Sequence, residues 1–338
     1  MTRPGDSAGQ ASKAWDRVNH TYKRQVPQRW GPDYEPAIQA VPGDAPPRST
    51  PTAFRSCRLG RTMHTLSKGE AFFVALALYH PAVWDVHEQH ILHPFPSTHP
   101  LAEHPAHRHR PWPATSGTLK ILDGLGSVRR HPQVSKPTSM GPTNVVPAAA
   151  DGARKLMSPW IGDVLVFISD ERGPYLVEWD VKNVSGMHGK PWAGDWKTSN
   201  SRRTAASAEL RDRAYLRYMA ELGIPIRRVA EDQIDPQVVY NLIRLMARNQ
   251  QGLTVPQAQA LEIECALQDA LVSGETPARA VRRVLAGKQA DKVALSVMER
   301  AIWERRLRVD LAGTILMDRP LHPERVDLLT VHADLFAR

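Results

Sequence analysis

The sequence predicts a mixed α/β (α+β) fold, with helices packed on a sheet and a helical C-terminal third. Three observations predict it. An apolar run from Asp163 to Ile168 and an alternating run from Tyr175 to Lys182 flank a Gly-Pro turn, which reads as a β-hairpin. Residues Ala71 to Tyr79 are apolar almost all round, the mark of a helix buried on every side. Beyond residue 233, helix-start signals recur at Asp235-Pro236, Thr254-Val-Pro-Gln257 and Thr276-Pro277.

Taken in order, residues 1–53 read as an extended, proline-rich basic arm. Eight of the 28 prolines fall in residues 1–52 and twelve in 81–160, so both stretches are expected to be irregular. The arm interleaves Trp15, Lys23, Arg24, Arg29 and Trp30, which suits a disordered tail or a segment lying on DNA or a partner. Ser67-Lys-Gly-Glu70 begins the buried helix and Pro81 ends it. Ala82 to Leu92 reads as a strand. A Pro- and His-rich insertion at about 94–157 separates it from the hairpin. A helix over Ala205–Leu222, closed by Gly223, and a strand over Ile224–Val229 complete a unit at 54–232. In residues 233–338 the third helix is expected to end at Gly287, and a fourth spans Ala290–Leu307. Leu307–Leu311 and Thr314–Met317 read as a two-stranded wing, which suggests a winged-helix-like module.

Composition bounds the function. Lys and Arg outnumber Asp and Glu by 44 to 35 and the pI is about 9.7, a balance that favours a polyanionic partner. Cys57 and Cys265 are far apart and form no CxxC, which argues against a disulfide framework or a cysteine zinc site. The first residues carry no apolar signal core, and Ala71–Tyr79, the longest apolar run, is too short to span a bilayer. A cytoplasmic protein is expected.

On the second hairpin strand, alternation puts Glu178, Asp180 and Lys182 on one face and Tyr175, Val177, Trp179 and Val181 on the other. Charges beside an apolar core are costly unless they pair or hold a metal. A solvated face with a cross-strand ion pair is the plain reading. Asp163, heading the first strand, adds a second carboxylate. Two converging carboxylates with a lysine two residues beyond the second suit a hard divalent cation and a water. This arrangement is the core of the PD-(D/E)xK nucleases. Glu70 has two readings, because Ser67-x-x-Glu70 is also a capping box in which the glutamate returns to the N-cap amide.

Phe54-Arg-Ser-Cys-Arg-Leu-Gly-Arg61, Ser67-x-x-Glu70, Val83-Trp-Asp-Val-His-Glu-Gln89, Asp163 and Asp180-Val-Lys182 stand in an order that resembles the TnsA family. That family is the endonuclease subunit of heteromeric bacterial transposases. The likeness covers roughly residues 48–95 and 158–230; the insertion departs from the family's compact pattern. The resemblance implies a restriction-endonuclease-like core with a winged-helix-like C-terminal domain. It implies that Glu70, Asp163 and Asp180 hold one or two magnesium ions, or manganese, with the Val181 carbonyl contributing. Lys182 would orient the attacking water or steady the phosphate charge. The implied reaction is a cut of the 5′ strand at transposon ends, with a DDE-type transposase subunit and an AAA+ ATPase regulator as partners. Arg58 and Arg61 in the basic segment, and Arg300, Arg305 and Arg306 late on the last helix, are candidate DNA contacts; the last three equally suit a solvated basic face. Two other readings stay open: a nuclease of the same fold in defence or repair, and a non-catalytic DNA-binding scaffold.

Eight of the fourteen histidines lie between His80 and His109. His87, His90 and His93 recur every three residues, so on a strand His90 faces away from the other two, a poor zinc set. Asp123-Gly-Leu-Gly126 is too short for a phosphate loop, and nothing suggests a nucleophilic triad.

Overall fold

The computed structural model describes residues 4–47, 49–135, 155–182, 184–188, 199–250, 255–285 and 290–338. After helix α1 (Pro4–Gln25), strands β1 (Thr52–Ser56) and β2 (Arg61–Thr65) pair antiparallel and lead into helix α2 (Lys68–Tyr79). A mixed four-stranded sheet follows, built from β3 (Val83–Glu88), β4 (Val164–Asp170), β5 (Gly173–Lys182) and β6 (Ile226–Ala230). The spatial order is β6-β5-β4-β3, with β5 and β6 parallel and the other pairs antiparallel. Val164 stands opposite Trp179 on one side and Glu88 on the other, which fixes the register of the hairpin.

Two apolar layers cover the sheet. Val164, Val166, Val177 and Trp179 meet α2 on one face. Leu165, Phe167 and Leu176 meet helix α4 (Ser199–Glu221) on the other, through Ala214, Tyr218, Met219 and Leu222. A strand buried on both faces loses alternation, which is why β4 reads as a continuous apolar run. The insertion supplies Leu101, and Ile121 and Leu122 of helix α3 (Thr118–Gly124), to this second layer, which Trp160 joins from the segment after it. Its described residues are therefore part of the core covering.

The far side of α2 explains its all-round apolarity. It packs on helices α5 (Pro236–Arg248) and α8 (Ala290–Trp303), and one continuous core runs from Val166 through Leu76 to Leu242, Val297 and Ile302. Phe73 meets Trp179 edge to face at 5.8 Å, while Tyr79 meets Trp303 at 5.8 Å. Helices α6 (Gln257–Ser273) and α7 (Pro277–Arg282) complete the C-terminal bundle. The last residues return to the hairpin: Tyr175 Oη donates to the Phe336 carbonyl and Trp179 Nε1 to that of Leu335, both at 2.8 Å. The expected boundary near residue 232 is a change of element type but not a break in the core.

Two expectations need correction. The N-terminal arm is not extended, because Pro4–Gln25 is helical and buries Trp15, Val18 and Tyr22 against Ala37, Ile91 and Leu156. Those three aromatic and aliphatic residues are spaced three and four apart, a helix stripe. Only Pro4 lies within the helix, at its first residue, where a missing N–H costs nothing; the arm's other prolines all follow Val26. The wing is also absent. Leu307–Met317 forms no hairpin; Val309 makes a single bridge to Pro323, and Asn241 Nδ2 donates to the carbonyls of Leu311 and Gly313 at 2.8 and 2.9 Å. Leu307, Val309, Leu311 and Ile315 all enter the core, so their spacing reflects burial rather than a strand pair. Thr254 and Gly287, expected to bound helices, lie outside the described residues. Among the described residues no helix is long and apolar enough to cross a membrane.

Candidate active site

The β4–β5 register, carried one residue past Val164 and Trp179, sets Asp163 beside Asp180. On its other side the Asp163 carbonyl accepts from Gln89 N–H at 2.9 Å. The Asp163 carboxylate accepts from Val181 N–H at 2.8 Å and from the Lys182 ammonium at 3.3 Å. Lys182 Nζ also donates to Asp180 Oδ1 and, at 2.9 Å, to the Val181 carbonyl. Four of the residues singled out in the sequence thus meet at one end of the hairpin. Burial would lower the Lys182 pKa, but Asp163 and Asp180 outweigh it and raise it. Burial would raise Asp180, but Lys182 and His188 outweigh it and hold the carboxyl below its usual range.

Glu70 stands at the N-terminal end of α2, facing this group. Ser67 is the N-cap and its Oγ accepts from Glu70 N–H at 3.1 Å. The expected reciprocal bond is shifted by one residue: the Glu70 carboxylate accepts from Leu66 N–H at 2.8 Å, not from Ser67 N–H. It also accepts from the Gln89 side-chain amide at 2.7 Å. Burial first, then the nearby Asp163 charge, push the Glu70 pKa up to about 7. Gln89 joins the two halves of the site, since its backbone holds Asp163 and its side chain holds Glu70. It does so from a left-handed backbone, φ +52°, that ends β3.

Sequence reasoning missed three features. His188, in the loop after β5, bonds Asp180 Oδ2 through Nδ1 at 2.8 Å; nothing in its spacing marks it. Glu178 shares the strand face with Asp180 and Lys182 but is sealed away, bonded to His90 Nε2 at 2.8 Å and to the Tyr215 hydroxyl. Burial raises its pKa. Gly162, just before Asp163, is where that pair crosses the backbone, and a Cβ there would collide with the His90 ring.

The donor chemistry fits a hard divalent cation. The Asp163, Asp180 and Val181 oxygens already converge on one positive charge, the Lys182 ammonium. Burial first, and then the adjacent Asp163 charge, disfavour the ionised form of the Glu70 carboxyl beside them. Among the described residues, however, no three His, Cys, Asp or Glu side chains are arranged to hold a metal. The Glu70 carboxylate is turned to Leu66 and Gln89.

The candidate DNA-contact arginines are all engaged within the chain. The Arg58 guanidinium closes the C-terminal end of α2, donating to the carbonyls of Leu78 (2.7 Å), His80 (3.0 Å), Pro81 (2.9 Å) and Val83. Arg61 is 5% exposed and pairs with both Glu88 oxygens at 2.8 Å, so it is an internal strut and not a surface contact. Arg300 bonds Glu304 at 2.8 Å and Arg305 bonds Asp327 at 2.7 Å. Arg306 holds Glu264 at 2.9 and 2.6 Å. The histidine series divides among three environments: His87 stacks on Tyr34, His90 bonds Glu178, and His93 N–H donates to Tyr218 Oη.

No protein-family model and no curated protein was found to match this chain.

Proposed function

We propose that the chain is a divalent-metal-dependent DNA endonuclease with a PD-(D/E)xK-type core, acting at transposon ends in the manner of the TnsA family. One observation carries the reading: strand register brings Asp163, Asp180, the Val181 carbonyl and Lys182 to a single point, with Glu70 beside them. Asp163, Asp180 and the Val181 carbonyl would hold magnesium or manganese, with Glu70 as a further oxygen donor. The bound ion would polarise a scissile phosphate and lower the pKa of the attacking water. Lys182, kept protonated by its two carboxylates, supplies a fixed positive charge where negative charge develops on the phosphate. Gln89 and the Leu66 N–H position Glu70. In this reading a DDE-type transposase subunit would process the 3′ strand, and an AAA+ ATPase would regulate the pair.

The Lys182 bonds to both aspartates also favour a second reading, a structural ion cluster in a non-catalytic DNA-binding scaffold. Calorimetric titration of magnesium into the chain, with nicking of a supercoiled plasmid bearing transposon ends, separates them. Metal binding and metal-dependent nicking, both weakened in Asp180→Asn, are the expected result. A folded protein that neither binds metal nor cuts, alone or with a transposase subunit, would establish the scaffold. Cutting of any DNA without a partner would instead assign the nuclease to defence or repair.

A further inference from the structure

At the opposite end of α2, about 12 Å along the helix from Glu70 to Leu78, lies a cavity of about 470 Å³. Its size falls within the range of small-molecule sites. Four arginines, Arg55, Arg58, Arg300 and Arg305, line it against one acid, Glu304, and Tyr79 and Trp303 form its aromatic wall. The arginines reach it from two distant parts of the chain, the β1–β2 hairpin and the end of α8.

Their contacts leave binding capacity. Among the described residues the Arg55 side chain has no hydrogen-bond or ion-pair partner, whereas its backbone N–H meets Gln250. Arg300 bonds Glu304 through Nε, which leaves its two terminal nitrogens. Arg58, saturated by carbonyls, contributes charge from a fixed position. Arg305 lies two residues past α8 with φ +61°, a left-handed position where glycine is the ordinary choice. Its guanidinium lies over the Tyr79 ring at 4.9 Å, and its Nη1 is buried with no partner. Asp327 already pairs with this guanidinium at 2.7 Å, so Arg305 helps to form the wall and leaves the ligand contacts to Arg55 and Arg300.

We propose that this cavity binds a nucleotide, with the phosphate on Arg55 and Arg300 and the base against Trp303. Guanidinium forks match phosphate oxygens in pairs, and base–aromatic stacking supplies the neutral part of the contact. The nucleotide has two sources, a free mononucleotide or the phosphorylated end of a DNA strand.

Calorimetry on the full chain tests this with three probes: dAMP, inorganic phosphate and a short 5′-phosphorylated single-stranded oligonucleotide. Binding of dAMP points to a free nucleotide; binding of the oligonucleotide alone points to a strand end. In either case Arg55→Ala and Arg300→Ala, both at exposed or half-exposed positions, should each weaken binding roughly tenfold. Trp303→Leu should lower dAMP affinity while sparing inorganic phosphate. Should Trp303→Leu fail to fold, the ratio of dAMP to phosphate affinity in the unaltered chain reads the base contribution. Asp180→Asn should leave binding unchanged, so loss of the nuclease reading does not touch this one. No binding of any probe, equal affinity for dAMP and phosphate, or full affinity in both arginine variants would overturn the proposal.

Discussion

The two ends of α2 face opposite electrostatic situations. At its N-terminal end a carboxylate, Glu70, meets a second one, Asp163, and its pKa rises to about 7. At its C-terminal end a guanidinium, Arg58, meets four carbonyls and is satisfied. The helix dipole favours both placements, an anion at the start and a cation at the end, by about 0.3–1 kcal/mol each. It does not decide the outcome at Glu70, where a shift from 4.5 to about 7 corresponds to roughly 3 kcal/mol. Burial and Asp163 override the dipole. The frustrated end is where added positive charge lowers the free energy, and the satisfied end is where it does not. On the proposed function, that difference puts the chemistry at the N-terminal end and leaves Arg58 as scaffold.

The largest expected effect comes from removing what covers α2. Deleting residues 233–338 would expose the side of α2 that packs on α5 and α8, together with Trp179, whose indole is held by the Leu335 carbonyl. The truncated chain should fail to fold cooperatively, read as loss of a sharp thermal transition and gain of aggregation. A stable, monomeric 1–232 fragment would show that the two halves are independent and that α2 is not a shared helix. Next is Lys182→Ala. It removes the charge that Asp163 and Asp180 share, and cleavage should fall about 10²–10³-fold. The melting temperature should also fall by several degrees, because buried Asp180 loses its nearer cationic partner, so cleavage is compared at temperatures where the variant is folded. Unimpaired cleavage in Lys182→Ala would remove the N-terminal end of α2 from the chemistry.

The sequence made the two poles of this comparison legible to different degrees. An apolar run and an alternating run about a Gly-Pro turn give the hairpin, and with it Asp163, Asp180 and Lys182. The all-round apolar run gives α2. Gln89 and His188 were not readable as site residues, since one depends on a left-handed turn at the end of β3 and the other on the return of a loop. Helix α1 was hidden by counting prolines over a block in which all but one follow the helix. The wing failed because Leu307, Val309 and Leu311 alternate for burial while the carbonyls of Leu311 and Gly313 are taken by Asn241. Arg58 and Arg61 read as a basic surface segment, and only the tertiary structure shows which carbonyls and carboxylate they meet.

The raised Glu70 pKa makes a pH prediction. A carboxyl with a folded pKa above its unfolded value favours the protonated fold, so its contribution is present below pH 4.5 and is lost as pH rises to about 7. Stability should therefore fall by roughly 3 kcal/mol across that window from this group alone. In Glu70→Gln the fall should vanish, making the variant more stable than the unaltered chain at pH 8 and nearly equal to it at pH 4.5. Magnesium should raise the melting temperature of the unaltered chain more at pH 8 than at pH 5, since the ionised carboxylate binds the cation. Parallel stability–pH curves for the two proteins would mean that Glu70 acts only through its hydrogen bonds to Leu66 and Gln89.

The smallest expected effect is at the satisfied end. Arg58→Met keeps an unbranched apolar stem and removes the guanidinium. Four carbonyls lose a donor, and at about 0.5–1.5 kcal/mol for each net hydrogen bond the upper bound would be several kcal/mol. Arg58 is an exposed residue, so water can reach the last carbonyls of α2 and replace part of what is lost. A destabilisation of about 2 kcal/mol is expected, seen as a lower urea midpoint with an unchanged slope. Cleavage and its magnesium dependence should be unaltered at temperatures where the variant is folded, because Arg58 touches none of the groups around Asp163. If cleavage falls in step with stability while the protein remains folded, the two ends of α2 are coupled through the helix. The contrast between a chemical end and a structural end would then not hold.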